Sequence, residues 1–130
     1  MKNNLKKYIK LIFFLLFLYS SQTLANWESL ADGPGGESYY IDNSTLTKGD
    51  FAKVNVLTDY KKNGDFGEKS IEKVWQANCI DLKIRVTSQI GYRKNMAKGE
   101  PFFLNNSPGK WQNASNPVLL AIFVFLCSGS

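Results

Sequence analysis

Apolar and polar residues alternate along much of this chain, and such alternation is typical of antiparallel strands that bury one face. The alternating stretches are bounded by glycine, proline, asparagine and aspartate, which favour turns. The pattern predicts strands at residues 27–31, 37–41, 51–60, 70–79 and 84–92. It allows further short strands at residues 101–104 and 109–112, although the turn-favouring residues 105–109 interrupt them. It also predicts turns at residues 42–44 and 48–50, which would close the second strand, and an exposed loop at residues 61–67.

The same pattern predicts which side of each strand is buried. In the fourth predicted strand the apolar side consists of Ile71, Trp75, Ala77 and Cys79. In the fifth it consists of Ile84, Val86, Ser88, Ile90 and Tyr92. Because side chains two residues apart lie on the same face of a strand, Cys79 is expected to point towards the core. The two strands are expected to pair as a hairpin.

The last apolar segment follows a different pattern. Ser115 or Asn116 can cap a helix, Pro117 suits the first helical position, and residues 118–126 contain no polar side chain. These features predict a helix over residues 117–127, with a strand as the alternative.

Such a helix is apolar around its whole circumference, so the sheet, a second chain or both must cover it. One face of a sheet covers only part of a helix. We therefore predict a homodimer or a partner complex, with Phe123 and Phe125 near the interface.

The first 25 residues have the order of a secretory signal. A basic start is followed by an apolar run at residues 11–19 and by small residues before a cut after Ala25. An uncleaved membrane anchor is the alternative, but this run is shorter than the roughly 20 residues that span a bilayer as a helix. We predict a cleaved signal peptide at residues 1–25 and one exported domain at residues 26–130, with no transmembrane span. The domain would be periplasmic, secreted or at the cell surface, and not a lipoprotein, because no cysteine lies near the cut.

Removal of the predicted signal peptide lowers the net charge of the chain. The whole chain has 16 basic and 11 acidic residues, and four of the basic residues, Lys2, Lys6, Lys7 and Lys10, lie in the signal peptide. The predicted mature chain therefore has 12 basic residues and a net charge of +1. Binding to many phosphates needs a clustered basic surplus, so nucleic acid is not an expected partner.

The chain has few side chains suited to catalysis or to metal binding. The chain contains no histidine, which is the commonest general base and a common metal ligand. The carboxylates Asp59, Asp65, Glu68 and Glu72 show no spacing that distinguishes an acid/base pair from a surface. Without histidine, only tyrosine, methionine or cysteine remain to ligate haem iron. We predict a protein that is not an enzyme and needs no metal or cofactor.

Cys79 and Cys127 are the only cysteines of the sequence. An even number of cysteines in an exported chain favours a disulfide bond. A metal or redox pair is the alternative, but their wide separation is unlike a redox motif, and two sulfurs without histidine cannot complete a zinc site.

Two sets of side chains are candidates for binding a partner. Exposed basic residues would suit an acidic protein or an anionic envelope polymer, and they are Lys61, Lys62, Arg93, Lys94 and Lys98. Aromatic residues would anchor a protein partner, and they are Tyr39, Tyr40, Tyr60, Trp75, Tyr92 and Trp111. The alternative is that the basic residues are only solvated loop charges, and that Trp75, Tyr60 and Tyr92 fill the core.

Several short stretches together resemble the surface-adhesin protein E family of small exported bacterial proteins. They are Trp27, Tyr40-Ile-Asp42, Ser44-Thr-Leu46, Val54 to Tyr60, Lys69-Ser70, Asn78-Cys79, Arg85, Tyr92, Met96-Ala-Lys-Gly99, Ser107 to Trp111 and Cys127. The resemblance covers the whole predicted mature chain. It implies an α+β fold, in which an antiparallel sheet of about six strands carries a C-terminal helix tethered by a disulfide bond.

The resemblance also implies an adhesin that binds host matrix or serum proteins, forms a dimer and contributes to virulence. The chain departs from the founding adhesin in lacking the cysteine that carries a lipid anchor. It also has a uniformly apolar C-terminal helix. A second hypothesis is therefore that the protein is a structural or envelope-maintenance subunit that assembles through that helix.

Overall fold

The computed structural model describes residues 2–16 and 25–128. Its elements, in chain order, are α1 Lys2–Leu16, β1 Trp27–Asp32, β2 Ser38–Thr47, β3 Phe51–Asp59, β4 Ser70–Asn78, β5 Lys83–Tyr92, β6 Pro101–Asn105 and α2 Pro117–Cys127. Helix α1 falls in the predicted signal peptide, whereas residues 17–24, which lead to the predicted cut, lie outside the described residues. Within the described part of the chain, no helix is both long and apolar enough to cross a membrane.

The strands form one six-stranded antiparallel sheet in the order β1-β2-β3-β4-β5-β6. Each strand pairs with its neighbour in the sequence, as expected for short connections between alternating stretches. The central strand β3 shows how the alternation places apolar side chains in the core. Its inward residues Ala52, Val54 and Val56 are at most 1% exposed, whereas Lys53 between them is exposed.

Strand β2 is longer than predicted, and the predicted turn at residues 42–44 was wrong. The carboxylate of Asp42 accepts a hydrogen bond from the Ser44 N–H at 3.0 Å, as in a turn, but the strand continues to Thr47. The Thr45 hydroxyl accepts a hydrogen bond from the Asn55 N–H at 2.9 Å. The pairing of β2 with β3 is irregular between Asp42 and Thr47. Because the Thr45 hydroxyl replaces a backbone acceptor for Asn55, β2 continues through this irregularity as a bulge.

Strand β5 contains a second bulge, which corrects the predicted burial pattern. Val74 pairs with Ser88 but Trp75 pairs with Val86, so Thr87 is an extra residue. The alternation therefore changes sides at Thr87. Ile84 and Val86 lie on the inward face as predicted. Ser88, Ile90 and Tyr92 do not share that face, because they lie with Glu72 on the opposite one, which we call the open face.

Of the two further short strands that the pattern allowed, the one at residues 101–104 forms as β6, whereas residues 109–112 do not form a strand. This segment makes only an isolated bridge between Gln112 and Ile84 and a hydrogen bond of 2.7 Å from the Gly109 N–H to the Val86 carbonyl. Within this described segment only Gly109 and Gln112 bond to β5, so no continuous ladder forms. The segment nevertheless runs along the part of the β5 edge that β6 leaves uncovered.

Helix α2 confirms the predicted C-terminal helix, and the strand alternative was wrong. The Asn116 side chain caps it by accepting a hydrogen bond from the Leu119 N–H at 2.9 Å, and Pro117 occupies the first turn. Ile122 and Leu126 are each 1% exposed and pack into the core with residues such as Val54 and Ile84. The helix therefore closes one face of the sheet.

The predicted disulfide bond is confirmed. Cys79 follows β4 and Cys127 ends α2, and their sulfurs are 2.10 Å apart with the Cα atoms 5.6 Å apart. The bond fixes the C-terminal end of the helix to the end of the sheet where β4 finishes. The N-terminal end of the helix lies over the opposite end and is held there by packing.

Candidate binding site

Loops from three connections lie at one end of the sheet. Because alternate connections of an antiparallel meander fall at the same end, the loops 33–37, 60–69 and 93–100 are neighbours there. We call this end of the molecule the loop end. It is also the end at which α2 begins.

Hydrogen bonds join two of these loops. The Asn95 side chain donates to the Asp59 carboxylate at 3.0 Å and to the Tyr60 carbonyl at 2.9 Å. The Ser70 hydroxyl donates to the Lys94 carbonyl at 2.6 Å and accepts from the Ala97 N–H at 3.0 Å. Met96 and Ala97 have φ values of 58° and 56°, a strained region for side-chain-bearing residues that these bonds help to maintain. The loop end is therefore ordered by specific contacts.

All five basic residues predicted to bind a partner lie at the loop end, and all are exposed. Lys61 and Lys62 are in loop 60–69, while Arg93, Lys94 and Lys98 are in loop 93–100. The Arg93 guanidinium lies 5.1 Å from the centre of the Phe102 ring, within range of a cation–π contact. The two loops thus form one surface, which we call the basic loop surface.

Three of the four carboxylates considered above accept hydrogen bonds within the protein, whereas the fourth, Asp65, is an exposed residue of loop 60–69. Asp59 accepts hydrogen bonds from Asn95 and from the Met96 N–H, the latter at 2.8 Å. Glu68 is 2% exposed and accepts from the Phe66 N–H at 2.9 Å. Glu72 lies on the open face and accepts from Asn55 at 2.8 Å and from the Tyr92 hydroxyl at 3.3 Å. These contacts give the carboxylates structural roles.

A cavity of about 680 Å³ lies between the loop end, the inward face of the sheet and the first turns of α2. Its walls combine aromatic rings, apolar helix residues and a few polar groups. They comprise Asp32, Gly33, Pro34, Glu37, Tyr39, Thr58, Tyr60, Lys73, Trp75, Asn116, Pro117, Val118, Leu119 and Ile122.

Lys73 is the unusual residue of this cavity. It pairs with Val56 across the sheet and lies on the same inward face as Trp75. Burial lowers the pKa of the Lys73 ammonium, and the nearby Glu68 and Asp65 oppose that change. Among the described residues it makes no hydrogen bond or ion pair. Lys73 was not among the predicted site residues, although a lysine between Ile71 and Trp75 in a period-two apolar face was a usable signal.

Two tyrosines of the cavity are held in their neutral form. Burial, with the charge of Glu37 adding to it, raises the pKa of Tyr39 to about 12. Burial and the charge of Glu68 likewise raise the pKa of Tyr60 to about 12. The Tyr39 hydroxyl donates to the Glu37 carboxylate at 3.2 Å. Both phenols therefore remain hydrogen-bond donors at physiological pH.

The other predicted aromatic anchors are dispersed. Trp75 is 8% exposed and belongs to the core, as the alternative interpretation held. Tyr40 and Tyr92 are half-buried on the open face. Trp111 lies at the other end of the molecule, where the Arg85 guanidinium is 4.3 Å from its ring centre. The structure therefore does not bring these side chains together in one site.

The outward side of α2 carries the exposed apolar surface. Leu120 and Val124 are 51% and 53% exposed, one helical turn apart. Phe123 and Phe125, which were predicted to lie near an interface, are half-buried and pack against the core. A shallow depression beside Leu120 and Val124 is lined by Pro117, Ala121, Phe125 and Ser128 as well.

These features define an α+β domain in which a disulfide-tethered helix closes one face of an antiparallel meander, while its loops form an ordered surface at one end. Residues 27–128 match the family model for surface-adhesin protein E, and the chain belongs to this family. Membership implies an exported or surface protein with an adhesin-like role.

Solved structures show the same fold. Crystal form II of Haemophilus influenzae protein E matches with a TM-score of 0.62 and 11% identity, covering 83% of this chain and 91% of that one. The selenomethionine form of Haemophilus influenzae protein E matches with a TM-score of 0.54 and 11% identity, covering 84% and 91%. A comparison with curated protein sequences found no significant match.

Proposed function

We propose that this protein is an exported, non-enzymatic binding module that engages a host or envelope protein through the basic loop surface. The observation that carries the proposal is the joining of loops 60–69 and 93–100, which presents five exposed basic side chains at one end of the molecule. Family membership supports a protein ligand, and the surface charge favours an acidic one.

The electrostatics of this surface favour selective binding over general attraction. Acidic residues lie beside the basic ones, and the predicted mature chain has a net charge of only +1 from its 12 basic and 11 acidic residues. Long-range attraction is therefore weak, and binding depends on how the partner's charges match this arrangement. Because such exposed charges are screened by salt, the affinity should fall as ionic strength rises.

The experiment measures binding of the purified mature chain to a panel of immobilised host matrix and serum proteins. One variant reverses the charge of the surface with Lys61→Glu, Lys62→Glu and Lys94→Glu. The control carries Lys53→Glu and Lys110→Glu, which are exposed positions away from the loop end. We expect the first variant to lose binding and the control to retain it. Equal binding by both variants would contradict the proposal.

A second candidate function is assembly within the cell envelope. The exposed Leu120 and Val124 favour it, since they form an uncovered apolar strip on α2. Adding protease to intact native cells separates the two functions. Digestion of the protein would support the host-binding role, whereas complete protection would support the envelope role.

A further inference from the structure

The cavity under α2 is lined by residues other than the five basic residues of the basic loop surface. Lys73 projects from the middle strand β4 on the inward face, beneath the first turns of the helix. Its ammonium has no hydrogen-bond or ion-pair partner among the described residues. Lys73 is half-buried, and Glu68 and Asp65 act on its charge without contacting it. A bound anion would give the partly desolvated ammonium a direct partner.

The helix adds to the positive potential at this place. Asn116, Pro117 and Val118 line the cavity, so the N-terminal end of the α2 dipole lies against it. This end of the helix carries no acidic residue in its first turn that would offset the dipole. The potential of the helix end and the charge of Lys73 therefore act in the same direction.

The remaining walls suit an apolar body. Trp75 of the sheet and Tyr60 at the start of loop 60–69 supply aromatic surface, while Leu119 and Ile122 supply aliphatic surface from the helix. The volume of about 680 Å³ lies within the range of sites for small organic ligands. The cavity thus has one unpartnered cation and a largely apolar lining.

Four carboxylates limit the charge of the ligand, two in the lining of the cavity and two, Glu68 and Asp65, near Lys73 outside it. Asp32 and Glu37 also line the cavity, and Glu37 accepts the hydrogen bond from Tyr39. They would repel a ligand with several negative charges, while a single anionic head beside Lys73 would be matched.

We propose that this cavity binds a small amphipathic anion, with its one anionic head at the Lys73 ammonium and an aromatic or branched apolar body between Trp75 and α2. The site adjoins loop 60–69 through Tyr60, but none of the five basic residues of the basic loop surface lines it, so it does not depend on the partner that this surface binds.

A matched pair of fluorescent probes tests the anionic head. Anilinonaphthalene sulfonate carries one sulfonate, and N-phenyl-1-naphthylamine has the same aromatic body without it. The mature chain should bind the sulfonate probe more tightly. Lys73→Met should weaken sulfonate binding about tenfold, because a charge-assisted contact is lost, and change naphthylamine binding by less than about twofold. Equal affinity for both probes, unchanged by Lys73→Met, would overturn the proposal.

Two further variants locate the bound probe. Val118→Trp fills the cavity from the helix side and should abolish binding of both probes. Leu104→Glu, at an exposed apolar position of β6 that does not line the cavity, is the control and should leave both affinities unchanged. Loss of probe binding in Leu104→Glu, or unaltered binding in Val118→Trp, would show that the probes bind elsewhere and would overturn the proposal.

Competition tests the class of natural ligand. Indole-3-acetate should displace the sulfonate probe, whereas indole-3-acetamide, which lacks the charge, should displace it at least about tenfold less well. Equal displacement by acid and amide would contradict an anion site. The outcome is independent of the loop-end binding assay, so the two proposals can fail separately.

Discussion

At the scale of single residues, the placement of the Lys73 side chain opposes the stability of the fold. Its ammonium lies on the inward face of β4, and burial lowers its pKa. We expect Lys73→Met to raise the free energy of unfolding at pH 7 by about 1 kcal/mol, because an unpartnered charge no longer has to leave water. Urea denaturation measures the change. Lys53→Met, at an exposed position, is the control and should change stability little. A destabilised Lys73→Met protein would contradict this reading of the cavity.

Tyr39 and Tyr60 predict a loss of stability in alkali. Each has a pKa raised from 10.0 to about 12 in the folded protein. Their contribution is fully present below pH 10 and is lost as the pH rises from about 10 to about 12, because the unfolded chain releases these protons first. Melting temperatures across this range should fall less steeply in the Tyr39→Phe, Tyr60→Phe double variant than in the wild type. Identical slopes would show that other groups cause the alkaline transition.

At the scale of elements, the disulfide bond holds only one end of α2. Removing it with Cys127→Ser should cost about 2–5 kcal/mol, as is typical for small exported domains. Hydrogen exchange should show the last turns of α2 losing protection first, since the first turns keep their Asn116 cap. Cys79→Ser should give the same loss, and the double variant should add little to it. A helix that stays fully protected without the bond would contradict this account.

Local patterns predicted the elements better than their registers. The alternation in β3, β4 and the first half of β5 predicted these strands and their inward faces, and the proline and asparagine before residue 118 predicted the start of α2. The bulges at Thr87 and after Asp42 were not predicted, because pairing with a neighbouring strand decides where an extra residue is accommodated.

The candidate site was predictable only where it depends on local sequence and not on contacts between distant segments. Exposed lysines and arginines in loops were visible in the sequence, and the meander then placed both loops at one end of the sheet. The cavity was not visible, because its walls come from β2, β4, α2 and the first connection. Only the tertiary structure brings these segments around Lys73.

At the scale of the whole molecule, the apolar strip on α2 predicts self-association. Leu120 and Val124 are about half exposed, at 51% and 53%. We expect the mature chain to form a homodimer that covers them, and Leu120→Lys with Val124→Lys to give a monomer by light scattering. Changes at Phe123 and Phe125 are a poorer test, because these side chains pack against the core and charging them would also unfold the domain. A wild-type monomer at high concentration would contradict the dimer.

The central claim is that the loop end makes this exported protein an adhesin. The most direct measurement is adherence of cells that carry the wild-type chain, the Lys61→Glu, Lys62→Glu, Lys94→Glu variant, or the Lys53→Glu, Lys110→Glu control, at equal amounts of protein. We expect cells with the first variant to adhere to host cell layers no better than cells that lack the protein. Cells with the control variant should adhere like cells with the wild-type chain. Wild-type adherence by the loop-end variant would contradict the central claim.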